Sequence, residues 1–161
     1  MLARRLAIPY FDSDDYFWEQ SDVPFSVQRA PELRNEKLKA DMAKYNSWII
    51  GGSMIRWGID WHNVFDMVVF LRIPKAARMQ RIKKRELERY GDKIYTDTQR
   101  AALHLEFLTW AAGYDDNTAK GPTLLAHTTW LQQLSCPVLE INGDIGINKS
   151  TNMILKAING A

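Results

Sequence analysis

The apolar positions along the chain fall into short continuous runs, separated by longer stretches with helical spacing. The continuous runs predict four strands, at residues 8–11, 47–51, 66–72 and 137–141. The third run is the clearest, because β-branched and aromatic residues dominate it and Pro74 ends it. Continuous apolar runs of this length are typical of strands buried on both faces, as in parallel sheets.

Helical spacing dominates the stretches between these runs. The strongest predicted helix extends from Lys75 to Tyr90, and Gly91 suits the position just after its end. The other predicted helices cover 32–45, 99–112, 127–134 and a last segment that Asn148 or Ser150 caps and that continues through Ile158. Strands that alternate with helices predict an α/β fold with a parallel sheet and right-handed crossovers.

The length and composition of the chain are those of one globular domain. Its 161 residues suffice for one core and are too few for two ordinary domains, and no repeat or linker divides residues 1–161. The 46% share of hydrophobic and 25% share of charged residues exclude a disordered or fibrous chain. A net charge of +2 excludes a general nucleic-acid-binding surface, so no nucleic-acid partner is expected.

The cysteine and histidine content and the lengths of the apolar segments bear on whether the protein has disulfides, a metal site or a membrane span. Cys136 is the single cysteine, which excludes an internal disulfide and a cysteine-based metal cluster. The histidines, at 62, 104 and 127, lack metal-ligand spacing, so no protein metal site is expected. No apolar run approaches the ~18–20 residues that span a bilayer, and the N-terminal segment lacks the apolar core of a signal peptide. We therefore expect a cytoplasmic protein with no membrane partner.

An acidic cluster follows the first predicted strand and contains Asp12, Asp14 and Asp15. In open α/β sheets, ligands bind at the carboxyl ends of the strands. A carboxylate at this edge can hold a water of a magnesium ion or orient a hydroxyl nucleophile. The alternative is a solvated turn in which one aspartate caps the next helix. The sequence leaves both interpretations open.

The loop Gly51-Gly52-Ser53 follows the second predicted strand, again at its carboxyl end. Glycines in this place let backbone N–H groups approach a substrate, and the hydroxyl of Ser53 can donate a hydrogen bond. The alternative is simply a turn. Arg29 and Arg34, earlier in the chain, are both candidates to face an anionic substrate, and the sequence does not separate them.

The helix predicted at 75–90 carries a row of arginines at spacings of three and four. Such a row can bind phosphate oxygens bidentately and neutralise charge during phosphoryl transfer. The alternative is a solvated face whose charges are paired with Glu86 and Glu88. The arginines are Arg78, Arg81, Arg85 and Arg89.

Taken in order, these motifs resemble the bacterial adenylate-kinase-like proteins often labelled topology modulation proteins, which are relatives of shikimate and nucleoside-monophosphate kinases. The resemblance extends from about residue 7 to the C-terminus. The matching residues are Phe11-Asp12, Asp14-Asp15-Tyr16-Phe17-Trp18, Trp48, Gly52-Ser53, Trp57-Gly58, Phe65-Asp66, Val68–Leu71, Pro74, Arg78, Arg81, Arg85-Glu86, Arg89-Tyr90-Gly91, Phe107, Trp110-Ala111, Tyr114-Asp115, His127, Trp130-Leu131, Leu134 and Cys136–Leu139.

The resemblance implies a three-layer P-loop kinase-like fold, with five parallel strands in the order 2-3-1-4-5 and a mobile lid in the helical segment at about 75–122. It also implies phosphoryl transfer from ATP, with Mg²⁺, to a small hydroxyl- or phosphate-bearing acceptor. The candidate residues that it implies are Asp14, Arg81 and Arg85 for catalysis, Asp12, Arg34, Gly51, Gly52 and Ser53 for substrate binding, and Arg78 and Arg89 for the nucleotide or lid.

The sequence departs from the family in lacking a phosphate-binding loop. Members of the family begin with a strand and the segment G-x-x-x-x-G-K-[ST], whose backbone N–H groups hold the nucleotide phosphates. Leu2–Ala7 resembles the residues that follow this segment, so the chain is expected to begin just after it. Ordinary kinase activity is then not expected, because ATP and Mg²⁺ lose their main contacts.

The strand that precedes this loop in the family is the central one, between the strands predicted at 47–51 and 66–72. Its loss would leave two rows of unpaired backbone groups. The flanking strands would then pair directly, another segment of the chain would fill the gap, or a second subunit would cover it. We predict a missing or rearranged central strand and a homo-oligomer.

The sequence supports three hypotheses about function. The first is a degenerate or truncated P-loop kinase-like protein that binds a small molecule or nucleotide. The second is a non-catalytic binding or regulatory protein that keeps the kinase-like scaffold. The third is a fragment, or a misassigned start, of an active kinase.

Overall fold

The computed structural model describes residues 1–160, which divide into two compact units, unit 1 at residues 1–61 and unit 2 at residues 62–160. Unit 1 contains α1 (Leu2–Leu6), β1 (Tyr10–Asp12), α2 (Ser13–Phe17), α3 (Pro31–Met42) and β2 (Ile49–Gly51). A 3-10 helix follows at Ile59–Asn63. Unit 2 contains β3 (Val68–Arg72), α4 (Lys75–Tyr90), α5 (Lys93–Thr96), α6 (Thr98–Ala112), α7 (Leu124–Leu131), β4 (Val138–Asn142) and α8 (Ile147–Asn159).

The sheet of unit 1 is a parallel pair of short strands. Tyr10 lies opposite Ile49 and Asp12 lies opposite Gly51, so both strands end at the same edge. The connection between them includes α2 and α3, as a parallel crossover requires. The core of the unit is formed by buried aromatic and aliphatic side chains, namely Tyr16, Leu38, Met42, Met54, Ile55, Trp57 and Trp61.

A buried tyrosine joins the two helices of this crossover. Tyr16 on α2 donates a hydrogen bond of 2.9 Å to Oδ2 of Asp41 on α3, and Lys44 binds the other carboxylate oxygen. Burial, followed by the contact with Asp41, raises the pKa of Tyr16 to about 12. The hydrogen bonds from Lys44 and Tyr16 lower the pKa of Asp41.

We expect Tyr16→Phe to lower the free energy of unfolding by about 1 kcal/mol, the usual contribution of one such hydrogen bond. Chemical denaturation followed by tryptophan fluorescence measures the change. Tyr45→Phe is the matched control, since Tyr45 is half exposed. An equal loss in both variants would contradict a specific role for the Tyr16–Asp41 bond.

The pH dependence of this loss follows from the two pKa shifts. Asp41 has a lowered folded pKa, so its contribution is present above its unfolded value of 3.8 and is lost as the pH falls through the folded value. Tyr16 has a raised folded pKa, so its contribution is complete below 10.0 and is lost as the pH rises toward about 12. The difference between wild type and Tyr16→Phe should therefore be largest between these limits.

Unit 2 contains a second parallel pair, β3 with β4. The register runs from Val68 opposite Val138 to Arg72 opposite Asn142. The helices α4, α5 and α6 pack against one another, and α8 packs against β4. The buried apolar residues of the unit are Ile94, Ala111, Ile141 and Ile154.

The α/β class and the parallel pairing are confirmed, but the strands form two separate two-stranded sheets. Direct pairing of β2 with β3 is therefore not the arrangement found among residues 1–160, and no further strand of that range joins either sheet. Each strand has its hydrogen-bonding partner within its own unit. The crossover through α2 and α3 connects β1 to its partner β2, and the crossover through α4 to α7 connects β3 to its partner β4.

Several predicted helix ends need correction. The helix predicted at 127–134 lies at 124–131, because the side chain of Thr123 accepts a hydrogen bond from the N–H of Ala126 and caps the helix there. The last helix begins after Gly146 rather than at a cap formed by Asn148 or Ser150. The hydroxyl of Ser150 donates to the Gly146 carbonyl instead. The helix predicted at 32–45 ends at Met42.

Candidate functional site

The carboxyl ends of β1 and β2 bring the acidic cluster and the glycine loop to one edge of unit 1. Asp12 caps α2, since its Oδ1 accepts a hydrogen bond of 3.1 Å from the N–H of Asp14. The phenol of Tyr10 donates to Oδ2 of Asp12 at 3.4 Å, and burial followed by Asp12 raises the pKa of Tyr10. The side chains of Asp14 and Asp15 are exposed. Asp12 thus has the capping role that the sequence left as an alternative.

The glycine pair lies close to the protein's own side chains. A Cβ at Gly51 would overlap the phenol of Tyr10, and a Cβ at Gly52 would overlap Oγ of Ser13. Gly52 also has a φ of +103°, which disfavours any other residue. Ser13 is buried, and Ser53, which follows the pair, is half-buried. The sequence did not indicate Tyr10 or Ser13 as partners of this loop.

Arg34 is a buried cation without a carboxylate at hydrogen-bonding distance. Its side chain extends from α3, and the residue is only 5% exposed. Nη2 donates a hydrogen bond of 2.6 Å to the carbonyl of Arg56, whereas Nε is buried and has no hydrogen-bond partner. Burial lowers the pKa of Arg34, and the negative charge of Glu32 offsets this lowering only in part. The guanidinium can therefore still bind an anion.

Two aromatic rings cover the guanidinium of Arg34. Its Cζ lies 4.9 Å from the ring centroid of Phe17 and 4.7 Å from that of Trp57. Asn35 holds the loop that carries Trp57, since its Nδ2 donates to the Trp57 carbonyl at 2.9 Å. The indole of Trp61 donates to Oδ1 of Asn35 at 3.3 Å. These contacts fix the arginine in place, and the sequence did not point to Phe17 or Asn35.

Arg29, the other arginine that the sequence left open, is fully paired. Its Nε and Nη2 bind the two carboxylate oxygens of Glu19 at 3.0 and 3.1 Å. Its remaining donors bind the carbonyls of Tyr16 and Trp18, at 2.6 and 3.1 Å, with a longer bond of 3.3 Å to that of Asp15. Arg29 therefore stabilises the hairpin at 17–29, and Arg34 is the anion-binding candidate of unit 1.

The arginines of α4 lie in unit 2, and two of them are held by carboxylates. Arg78 forms an ion pair with Asp115, which lowers the pKa of that carboxyl, and Arg81 forms an ion pair with Asp144. Asp115 follows α6 and Asp144 follows β4, so both ion pairs link α4 to loops.

The other two arginines of α4 contact aromatic rings. The guanidinium of Arg85 lies 5.9 Å from the ring centroid of Phe107, and that of Arg89 lies 6.0 Å from the ring centroid of Tyr90. Both arginines are exposed. Glu86 is buried and lies 3.7 Å from His104 on α6, so it does not form the solvated pair that the alternative interpretation of the row assumed.

A small cavity of about 140 Å³ lies at the carboxyl end of β3 in unit 2, lined by Leu71, Arg72, Ile73, Arg78 and Tyr114. The phenol of Tyr114 lies 3.0 Å from Nδ1 of His127, whose ring stacks on Phe70. Burial raises the pKa of Tyr114 and lowers that of His127, which favours neutral forms of both groups.

Among residues 1–160, no group of three or more His, Cys, Asp or Glu side chains is placed to hold a metal ion. Mg²⁺ often binds through one or two carboxylates together with substrate phosphates and water, so its site would depend on the nucleotide. Over the same residues, no helix is both long and apolar enough to cross a membrane.

Comparison with known proteins gives one informative relative. The chain is 32% identical, over 154 residues, to the uncharacterized protein YqaC of Bacillus subtilis (strain 168). The alignment covers 96% of this chain and 85% of the relative. No family model matches the sequence, and no solved structure matches it. The extent and identity of the alignment place this chain in the same protein family as YqaC of Bacillus subtilis.

Proposed function

We propose that this chain is a degenerate or truncated P-loop kinase-like protein that binds a small phosphate-bearing acceptor in unit 1 through Arg34. The reaction of the kinases that it resembles is phosphoryl transfer from ATP to such an acceptor. In this proposal Arg34 binds and orients the anionic group of the acceptor. Asp14, at the edge of the same sheet, is the candidate to orient its hydroxyl or phosphate nucleophile.

The observation that carries the proposal is the incomplete pairing of the buried Arg34 guanidinium. Its Nε lacks a hydrogen-bond partner, and its Nη2 donates to a neutral carbonyl. A buried charge without a counter-ion lowers the stability of the fold by several kcal/mol, and an anionic ligand would offset part of that cost. Arg29 shows that the same unit can pair an arginine completely when the role is structural.

The pairing of the strands supports the kinase-like scaffold. In the order 2-3-1-4-5, strand 2 neighbours strand 3 and strand 4 neighbours strand 5. The parallel pairs β1–β2 and β3–β4 are the pairs that this order would place next to each other. The 161 residues contain no G-x-x-x-x-G-K-[ST] segment. Residues outside this set would therefore have to supply the usual contacts to the ATP phosphates.

The second candidate function is a non-catalytic binding or regulatory protein that keeps the acceptor site. The ion pairs of Arg78 and Arg81 favour it, because these arginines already bind Asp115 and Asp144. An arginine held by a carboxylate contributes less to nucleotide binding, since the internal pair has to break first.

Titration calorimetry with inorganic phosphate, nucleoside monophosphates and Mg·ATP tests the proposal. We expect a monophosphate to bind wild type, and Arg34→Met to bind it about tenfold more weakly or worse, a loss of about 1.4 kcal/mol or more. Methionine has a similar length and no charge, so the aromatic contacts are largely kept. Arg56→Gln is the matched control, because Arg56 is exposed and its carbonyl, which accepts from Arg34, is retained.

The outcomes separate the two candidates. Binding of both a monophosphate and Mg·ATP, with formation of ADP, would support the kinase. Binding of a monophosphate without Mg·ATP would support the non-catalytic protein. If no ligand of the panel binds, or if Arg34→Met and Arg56→Gln bind equally well, the Arg34 site is refuted.

A further inference from the structure

The cavity at the carboxyl end of β3 has a polar wall that the acceptor site at Arg34 does not include. Arg72 and Arg78 line it together with the phenol ring of Tyr114 and the apolar side chains of Leu71 and Ile73. Its volume of about 140 Å³ equals the share of roughly four to five water molecules in the liquid. That space suits a small oxyanion.

The charges around the cavity leave one cation unpaired. Arg78 is paired with Asp115, and Lys75 is paired with Asp116 at 2.8 Å. Arg72 is exposed and its guanidinium forms no ion pair or hydrogen bond with residues 1–160. The net charge of this group is therefore positive, and the free cation is on the cavity wall.

Arg78, which lines the same cavity, has a side-chain donor without a partner. Its Nη2 binds Asp115 and, at 3.4 Å, the carbonyl of Ala111, while its Nη1 binds the carbonyl of Ile73 at 3.3 Å. Its Nε is buried and lacks a hydrogen-bond partner. The guanidinium lies 5.1 Å from the ring centroid of Tyr114, whose phenol His127 holds. Arg78 and Tyr114 are therefore held in place in the wall of the cavity before any ligand binds.

We propose that this cavity binds a small oxyanion, with Arg72 as the primary cation and Arg78 as the second. Leu71 and Ile73 form the apolar part of the wall beside these two cations. Asp115 competes with the anion for Arg78. The site lies wholly in unit 2 and does not depend on the acceptor site at Arg34.

Titration of the ¹⁵N-labelled full chain with inorganic phosphate tests the site. We expect saturable shifts of the backbone amides of Arg72, Ile73 and Tyr114. Arg72→Gln should bind phosphate about tenfold more weakly, since it removes a charge-assisted hydrogen bond. Lys83→Gln controls for the loss of a general positive charge, because Lys83 is exposed on the same helix as Arg78.

A second variant is expected to change the phosphate affinity in the opposite direction. Asp115→Asn should bind phosphate more tightly, because it frees Arg78 from a competing carboxylate. Glu106→Gln, at an exposed position of α6, is its control for net charge. If Asp115→Asn does not fold, Arg72→Gln decides the matter alone, because its side chain makes no contact that folding requires.

Two further arms fix the ligand class and separate this site from the acceptor site. Acetate that binds as tightly as phosphate would assign a carboxylate ligand, and weaker acetate binding would assign a phosphate-like one. Arg34→Met should leave these amide shifts unchanged, so failure of either site is distinguishable from failure of the other. Equal phosphate affinity of wild type and Arg72→Gln, or the absence of saturable shifts at β3, would overturn the proposal.

Discussion

Arg29→Met is expected to lower the free energy of unfolding by about 2–4 kcal/mol, one of the two largest effects of a single substitution in this protein. The substitution leaves the carboxylate of Glu19 and the carbonyls of Tyr16 and Trp18 without their donors. The side chain of Arg29 is 11% exposed, so water replaces these bonds poorly. Glu19 is 42% exposed and can be hydrated, which keeps the cost below that of a fully buried pair.

The substitution should also weaken the order of the hairpin that precedes α3. The N–H of Glu19 donates to the Val27 carbonyl, and the N–H of Arg29 donates to that of Phe17, both at 2.8 Å. The guanidinium binds the carbonyls on either side of Phe17, whose ring covers Arg34. We therefore expect faster hydrogen exchange at Glu19 and Arg29 in the variant.

Variants with graded changes separate the ion pair from the carbonyl contacts. Glu19→Gln keeps an acceptor and all the carbonyl bonds, so it should cost less than about 1 kcal/mol, as expected for an exposed pair. Arg29→Lys keeps the charge but loses the planar fork, so its cost should lie between those of Glu19→Gln and Arg29→Met. Urea denaturation measures all three, with Arg56→Gln as the neutral control. A cost of Arg29→Met within error of Arg56→Gln would show that these contacts contribute nothing to stability.

The long elements of the fold were predictable, because a long element contains enough apolar positions for its periodicity to be recognised. The helix at Lys75–Tyr90 has the bounds predicted, since Pro74 and Gly91 mark both of its ends. The helix at Leu124–Leu131 was displaced in the prediction, because its start depends on one hydrogen bond to the hydroxyl of Thr123. Short elements such as α5 were missed, since four residues carry too little periodicity to be recognised.

The separation of the sheet into two pairs was not predictable from patterning. Apolar runs indicate which residues are buried, but strand pairing depends on which edges meet in space. The pairs β1–β2 and β3–β4 confirm the parallel pairing, and the sequence did not indicate how their remaining edges are paired. The central position of the kinase-like sheet remains part of the proposal.

The sequence indicated which types of residue form the candidate site, but it did not indicate the partners that those residues contact. Arg29 and Arg34 are equivalent in the sequence, and only the hairpin brings Glu19 back against Arg29, ten residues away. The aromatic contacts of Arg34 come from α2 and from the loop after β2, which no periodicity connects. Similarly, the row of arginines on α4 indicated a phosphate site, whereas the ion pairs with Asp115 and Asp144 depend on distant loops.

Gly52→Ala is the second substitution expected to have a large effect, about 2–5 kcal/mol of destabilisation. The left-handed backbone, at a φ of +103°, contributes about 1–2 kcal/mol of this cost. The overlap of the new Cβ with Oγ of Ser13 contributes about 1–3 kcal/mol, because Ser13 is 2% exposed and has little room to move. Thermal and urea denaturation measure the sum.

Gly58→Ala isolates the backbone contribution. Gly58 has a φ of +115°, and a Cβ there would meet no atom within 4 Å. Its cost should therefore equal the conformational part alone, about 1–2 kcal/mol. The excess cost of Gly52→Ala over Gly58→Ala then measures the contact between the loop after β2 and the start of α2.

A double-mutant cycle with Ser13→Ala assigns that excess to the hydroxyl group. Removal of Oγ leaves the Cβ of Ser13 3.1 Å from the new Cβ at position 52, a contact that a shift of a few tenths of an ångström relieves. In the Ser13→Ala background, the cost of Gly52→Ala should fall close to that of Gly58→Ala, which corresponds to a coupling of about 1–3 kcal/mol. If the coupling is zero, Ser13 rotates away from the new methyl group, and the glycine at position 52 is then required by its backbone conformation alone. A large coupling means that the two loops at the edge of the acceptor side fit each other closely, so that a side chain at either glycine would displace Ser13 or Tyr10 before it reached a ligand.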